Sequence, residues 1–154
     1  MRDILVKICE FLETGQNLAM VTISGEKGST PRSAGSKMLI NSGGLFCGTI
    51  GGGLAEARAI KEATEVLSSE KSSLLHADMS GCLAEGADLI CGGRMDIFIQ
   101  AVKPEARNFF QMLLERYDRN KDTLLVTSTK GSSPSSTIFS SAIFSEGGFA
   151  GAPL

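Results

Sequence analysis

A chain of 154 residues with 42% hydrophobic side chains has the length and apolar content of one ordinary globular domain with its own core. A net charge of −2, no basic stripe, no Trp and a single Tyr argue against nucleic acid as a partner. No apolar run approaches the roughly 20 residues of a membrane-spanning helix, and Arg2, Asp3 and Lys7 interrupt an N-terminus that a signal peptide would keep apolar, so no membrane partner and a cytoplasmic location are expected.

From the N-terminus, Ile4, Leu5, Ile8, Phe11 and Leu12 recur at helical spacing, and Gly15 supplies a C-terminal stop. Positions 18–23 read as a buried strand and 25–35 as a polar loop rich in Gly, Ser and Pro. Positions 37–40 and 45–50 predict two strands, and Asn41-Ser42-Gly43-Gly44 has the composition of a hairpin turn between them. A helix is expected over 54–67, with Ala59, Ile60, Ala63, Val66 and Leu67 in its apolar stripe. A strand over 72–78 and a loop over 81–93 follow. Met95, Ile97, Ile99 and Ala101 alternate with Asp96, Phe98, Gln100 and Val102, which predicts a strand with one strongly apolar face. Pro104 begins a helix carrying Ala106, Phe109, Phe110, Leu113, Leu114 and Tyr117 at three- and four-residue intervals, and 123–129 is again a strand.

The last third echoes the first. Val21-Thr22 and Lys27-Gly28-Ser29-Thr30-Pro31 have counterparts in Val126-Thr127 and Lys130-Gly131-Ser132-Ser133-Pro134, and Gly44, Phe46 and Gly48 in Gly147, Phe149 and Gly151. The second copy is degenerate: Ser135 stands for Arg32 and Ser140 for Lys37. The expected architecture is therefore α/β, a mixed sheet flanked by helices with glycine-rich loops at one edge. Residues 1–103 form the main unit, and 104–154 form a helix–strand extension that opens the second repeat. An exposed edge in that repeat would leave room for a homodimer.

Three stretches could carry chemistry. In Gly28-Ser29-Thr30-Pro31-Arg32, the Ser29 and Thr30 hydroxyls and the planar fork of Arg32 suit a phosphate, with Lys37 as a second cation. The same residues would also make an ordinary capped turn. Gly51-Gly52-Gly53 sits at a strand-to-helix junction, where bare backbone N–H groups can approach an anion. It matches neither the phosphate-loop nor the dinucleotide fingerprint, and a tight junction would need the same glycines. Glu56, in the first turn of the following helix, would repel a phosphate unless it points away or grips a polar ring.

Cys91-Gly92-Gly93-Arg94 places a thiol beside bare backbone and a cation, suited to a soft metal or an electrophile. A buried, inert thiol is the plainer reading. Of the other cysteines, Cys9 and Cys47 read as core and Cys82 as a second thiol in the loop of Cys91. No pair has zinc-knuckle spacing, and His76 is the only histidine.

Taken in order, Val21-Thr22, Gly28 to Arg32, Gly35-Ser36-Lys37-Met38, Gly48-Thr49-Ile50-Gly51-Gly52-Gly53 and Cys91-Gly92-Gly93 resemble the N-terminal domain of the XdhC/CoxI family. These are accessory factors of xanthine dehydrogenase and related molybdenum hydroxylases. Members usually continue into a Rossmann-like domain, so the chain reads as a piece of a longer protein. The resemblance implies a non-enzymatic chaperone. It would bind the molybdenum cofactor (molybdopterin) transiently, protect it, and deliver it to an apo molybdenum hydroxylase, with a cysteine desulfurase as a further partner. It also implies a cofactor site of Ser29, Thr30, Arg32, Lys37, Gly51, Gly52, Gly53, Glu56, Cys91, Gly92 and Gly93, with Cys91 toward the metal. Two other readings stand beside it: a thiol-dependent redox or sulfur-transfer enzyme using Cys91, and a scaffold whose glycines only make turns.

Overall fold

The computed structural model describes residues 1–79, 92–130, 138–145 and 148–153. Helix α1 (Arg2–Leu12) leads into a meander of β1 (Leu18–Lys27), β2 (Lys37–Asn41) and β3 (Gly44–Gly48). Helix α2 (Gly53–Ser69) is followed by β4 (Ser73–Asp78) and β5 (Arg94–Val102). A 3-10 turn (Pro104–Ala106) and α3 (Arg107–Asp118) precede a second meander of β6 (Leu124–Lys130), β7 (Ile138–Ser145) and β8 (Gly148–Pro153).

The first sheet runs in the order β3-β2-β1-β5-β4, and the second β6-β7-β8. The α/β class stands, with helices on both faces of a sheet. The expected mixed sheet is corrected in one respect: every strand pair is antiparallel. Short connections can join only antiparallel neighbours, and the one helical crossover carries the chain from edge strand β3 to edge strand β4. Strand β5 then returns antiparallel to both β4 and β1.

The order of apolar residues along β1 explains the three layers. Leu18 and Met20 join Leu39 and Val102 beneath α1 and α3, whereas Ala19, Val21 and Ile23 join Met38, Ile40, Ile97 and Ile99 beneath α2. Both faces are covered, so β1 reads over Leu18 to Ile23 as an apolar run broken only by Thr22. The same applies to β5, where a single apolar face was expected. Phe98, Gln100 and Val102 are buried on the second face as Ile97, Ile99 and Ala101 are on the first. Helix α2 presents Ala55, Ala59, Ala63 and Val66 to the sheet. Helix α3 buries Phe109 and Phe110, whose rings meet edge to face at 5.4 Å, in the cluster that holds Leu5, Ile8 and Leu12 of α1. Among the described residues, no helix is long and apolar enough to cross a membrane.

The helix and three-stranded meander occur twice, in matching register. Met38 lies opposite Val21 on one side and Gly48 on the other; Ala142 lies opposite Val126 and Gly151. The partner of Thr22 is Lys37, and the partner of Thr127 is Ser141. By register the counterpart of Lys37 is thus Ser141, one residue beyond the Ser140 that sequence offset suggests. The counterpart of Arg32, Ser135, lies outside the described residues.

Candidate binding site

Antiparallel pairing fixes which loops meet. Strands β1, β3 and β4 end, and β2 and β5 begin, at the same end of the first sheet. That end carries the 28–36 loop, the glycine run and Gly92-Gly93.

The approaches there leave no room for a side chain: Gly28 and Gly93 face backbone, and Gly51 faces the side chains of Pro31 and Arg32. A Cβ on Gly93 would lie 2.2 Å from the Ser29 carbonyl oxygen and 2.9 Å from that of Lys27. One on Gly28 would lie 3.2 Å from Gly93 Cα, and one on Gly51 2.5 Å from Pro31 Cγ and 3.5 Å from Arg32 Cγ. Gly92-Gly93 therefore sits on Gly28-Ser29, and Gly51 on Pro31-Arg32. The Met79 N–H donates to the Gly93 carbonyl at 2.9 Å and holds the junction of β4 and β5. Gly51, Gly52 and Gly53 have φ of +119°, +75° and +63°, so the backbone path itself requires glycine at all three.

Glu56 turns back onto the glycine run. Its Oε2 accepts the Thr49 hydroxyl at 2.5 Å and the N–H groups of Ile50 and Gly52 at 3.0 Å each. The Gly51 N–H donates to Thr49 Oγ1 at 3.0 Å. The Gly52 N–H is thus spent on a carboxylate of the chain's own helix and the Gly51 N–H on Thr49, so neither is open to a ligand phosphate. Burial alone would push the Glu56 carboxyl up, but the hydrogen bonds from Thr49, Gly52 and Ile50 outweigh it and hold the group below the usual carboxylate range.

Beside this nest lies a cavity of about 500 Å³, lined by Arg32, Ser36, Lys37 and Thr49 with Ile4 of α1 on its wall. Lys37 is half-buried, and that burial pushes its ammonium below the usual lysine range. Among the described residues, neither Arg32 nor Lys37 makes an ion pair or a side-chain hydrogen bond. Elsewhere at this end Arg94 pairs with Asp78 at 2.9 Å, and His76 Nδ1 lies 2.6 Å from Asp96 Oδ1. Glu26 accepts from the Thr30 hydroxyl and the Ala34 N–H, each at 3.1 Å.

The structure therefore brings together Ser29, Thr30, Arg32, Lys37, Gly51, Gly52, Gly53, Glu56, Gly92 and Gly93, and sorts them by role. Thr30 orders its own loop through Glu26, Ser29 meets Gly93 through its backbone, and only Arg32 and Lys37 present unmatched charge to a cavity. Cys82 and Cys91 lie outside the described residues. Cys9 is in the core and Cys47 packs beside it, as expected. No group of three or more His, Cys, Asp or Glu side chains among the described residues could hold a metal ion. Two contributors escaped the sequence reading. Thr49 links Glu56 to Gly51 and also lines the cavity; its signal is a hydroxyl seven residues before an acid in a first helical turn. Glu26 carries no signal, because only the fold of the 28–36 loop brings Ala34 back to it.

Residues 11–78 match the model of the XdhC and CoxI family. That stretch contains Ser29, Thr30, Arg32, Lys37, the glycine run and Glu56, and stops short of Gly92-Gly93. The chain is 37% identical over 99 residues to the uncharacterized protein YqeB of Escherichia coli K12, covering 63% of this chain and 18% of YqeB. It is 35% identical over 68 residues to the molybdenum cofactor insertion chaperone PaoD of the same organism, covering 44% of this chain and 21% of PaoD. The matches thus span about a fifth of either relative. A crystal structure described as a xanthine dehydrogenase from Bacillus halodurans shares the fold with a TM-score of 0.77, over 96% of this chain and 44% of that one, at 22% identity.

Proposed function

We propose that this chain, which belongs to the XdhC and CoxI family through residues 11–78, is a non-enzymatic accessory protein that binds the molybdenum cofactor and delivers it to a molybdenum hydroxylase. The observation that carries this reading is the seating of Gly93 on Ser29 and of Gly51 on Pro31, which gathers the 28–32 loop, the glycine run and Gly92-Gly93 at one end of the sheet. Ser29 and Arg32 are three residues apart, at most about 11 Å of chain. One ligand can therefore touch both Gly92-Gly93 and Arg32.

The cofactor has an anionic phosphate, a polar pterin and a soft metal–sulfur centre. Arg32 and Lys37 fit the phosphate because both are unmatched cations on a ligand-sized cavity. Cys91, next in the chain to Gly92, would give the molybdenum end a soft thiolate donor, which shields the metal during transfer. The insertion role in PaoD's name supports an accessory rather than a catalytic part.

The reading is tested by transfer. An apo hydroxylase of the xanthine dehydrogenase type, incubated anaerobically with molybdenum cofactor, should regain activity faster and to a higher yield with this protein present. Equal rate and yield in its absence would refute delivery.

A further inference from the structure

We infer that the cavity between α1 and the 28–36 loop is a phosphate-monoester site held by Arg32 and Lys37, and that the engaged N–H groups of Gly51 and Gly52 beside it take no part in anion binding. The inference rests on the cofactor-carrier reading only for the identity of the ligand, whose phosphate end it seats on the α1 side of the sheet.

Lysine is rarely buried unless paired, because desolvating an ammonium costs free energy that a counter-charge must offset. Lys37 is half-buried with no carboxylate partner among the described residues. Arg32 faces the same cavity, also unmatched. A planar fork and a point charge together suit a group with three oxygens and up to two negative charges.

The carboxylates nearby set the limits of the site. Glu56 already fills the nest of N–H groups at Ile50 and Gly52. Glu26 is held by Thr30 and Ala34. Each holds a residue of the cavity wall, Glu26 through Ala34 and Glu56 through Thr49, and both are thereby engaged by the chain's own donors, whereas Arg32 and Lys37 on the same wall are not. The second meander has Ser141 at the register position of Lys37, so it does not repeat the pair.

Titrating inorganic phosphate into the 154-residue protein, followed by amide chemical shifts or calorimetry, tests the assignment. Arg32→Met and Lys37→Met should each weaken binding about tenfold or more, as loss of a charge-assisted hydrogen bond does. Lys37→Arg should retain binding, and Lys61→Met, on an exposed part of α2, should match wild type. Thermal unfolding of each variant separates loss of binding from loss of fold. Absence of phosphate binding in the wild type, or wild-type affinity in folded Arg32→Met and Lys37→Met, would overturn the site. The two ideas fail separately. Phosphate binding without cofactor retention leaves the site and removes the carrier reading; cofactor retention that neither substitution weakens does the reverse.

Discussion

Alanine at Gly93 is expected to destabilise the protein by about 3 kcal/mol or more, whereas alanine at neighbouring Gly92 will cost about 1 kcal/mol. The two glycines are required for opposite reasons. Gly92 has a φ of +67° with nothing within 4 Å of a Cβ, so alanine there meets only backbone strain. Gly93 is buried, and its Cβ would press into the Ser29 and Lys27 carbonyls at 2.2 and 2.9 Å. Backbone atoms cannot swing aside as a flexible side chain can. The ends of β1 and β5 must separate, which weakens the Lys27–Arg94 register pair and the Met79–Gly93 hydrogen bond. For a chain of this size the melting temperature should fall by roughly 10 °C for Gly93→Ala and a few degrees for Gly92→Ala. Equal shifts for the two variants, by thermal or urea unfolding, would contradict the packing described.

Removing the carboxylate of Glu56 has the next largest expected effect. Glu56→Ala strands a hydroxyl and two N–H groups that now share one oxygen, and should cost about 2 kcal/mol at pH 7. Glu56→Gln keeps an acceptor but not the charge, and should cost less. The pH dependence has a definite sign. The folded-state pKa is depressed, so the stabilisation is fully present above the unfolded value of about 4.3 and disappears as pH falls through the folded value. The gap between wild type and Glu56→Gln should therefore be widest near neutrality, begin to narrow as pH falls to the unfolded value, and close only below the depressed folded value. Urea unfolding at several pH values measures it. A gap that stays constant from pH 7 to pH 3 would show that the carboxylate is not ionised in this network.

Much of the architecture was legible because its causes are local. The helical spacing of Leu5, Ile8 and Leu12, the Gly43-Gly44 turn and the Pro104 helix start all act over a few residues. What the sequence concealed is non-local. Burial of the second face of β5 includes α1 and α3 converging on Val102, which no alternation along the strand reveals. Strand β1 runs on to Lys27 because β5 supplies partners past a bulge between Ile23 and Gly25. The repeat was visible in paired motifs, and register adjusted it by one residue at Ser141.

The site divided in the same way. Its glycines stand out in sequence because they are expensive, but whether each serves a turn or a ligand is a three-dimensional question. Gly51 to Gly53 serve the chain path and a nest that Glu56 fills. Gly93 serves the approach of two strands. Arg32 and Lys37 could have been ordinary solvated charges. What sets them apart is that neither has a carboxylate partner among the described residues, while Glu26 and Glu56 are both engaged by other donors.

The most direct test of the account is molybdenum and pterin content after anaerobic incubation with molybdenum cofactor and gel filtration, for wild type, Arg32→Met/Lys37→Met and Cys91→Ala. The account predicts that wild type retains both in equal proportion, that the double variant retains little of either, and that Cys91→Ala loses molybdenum preferentially. A wild-type protein that emerges with neither molybdenum nor pterin would contradict it.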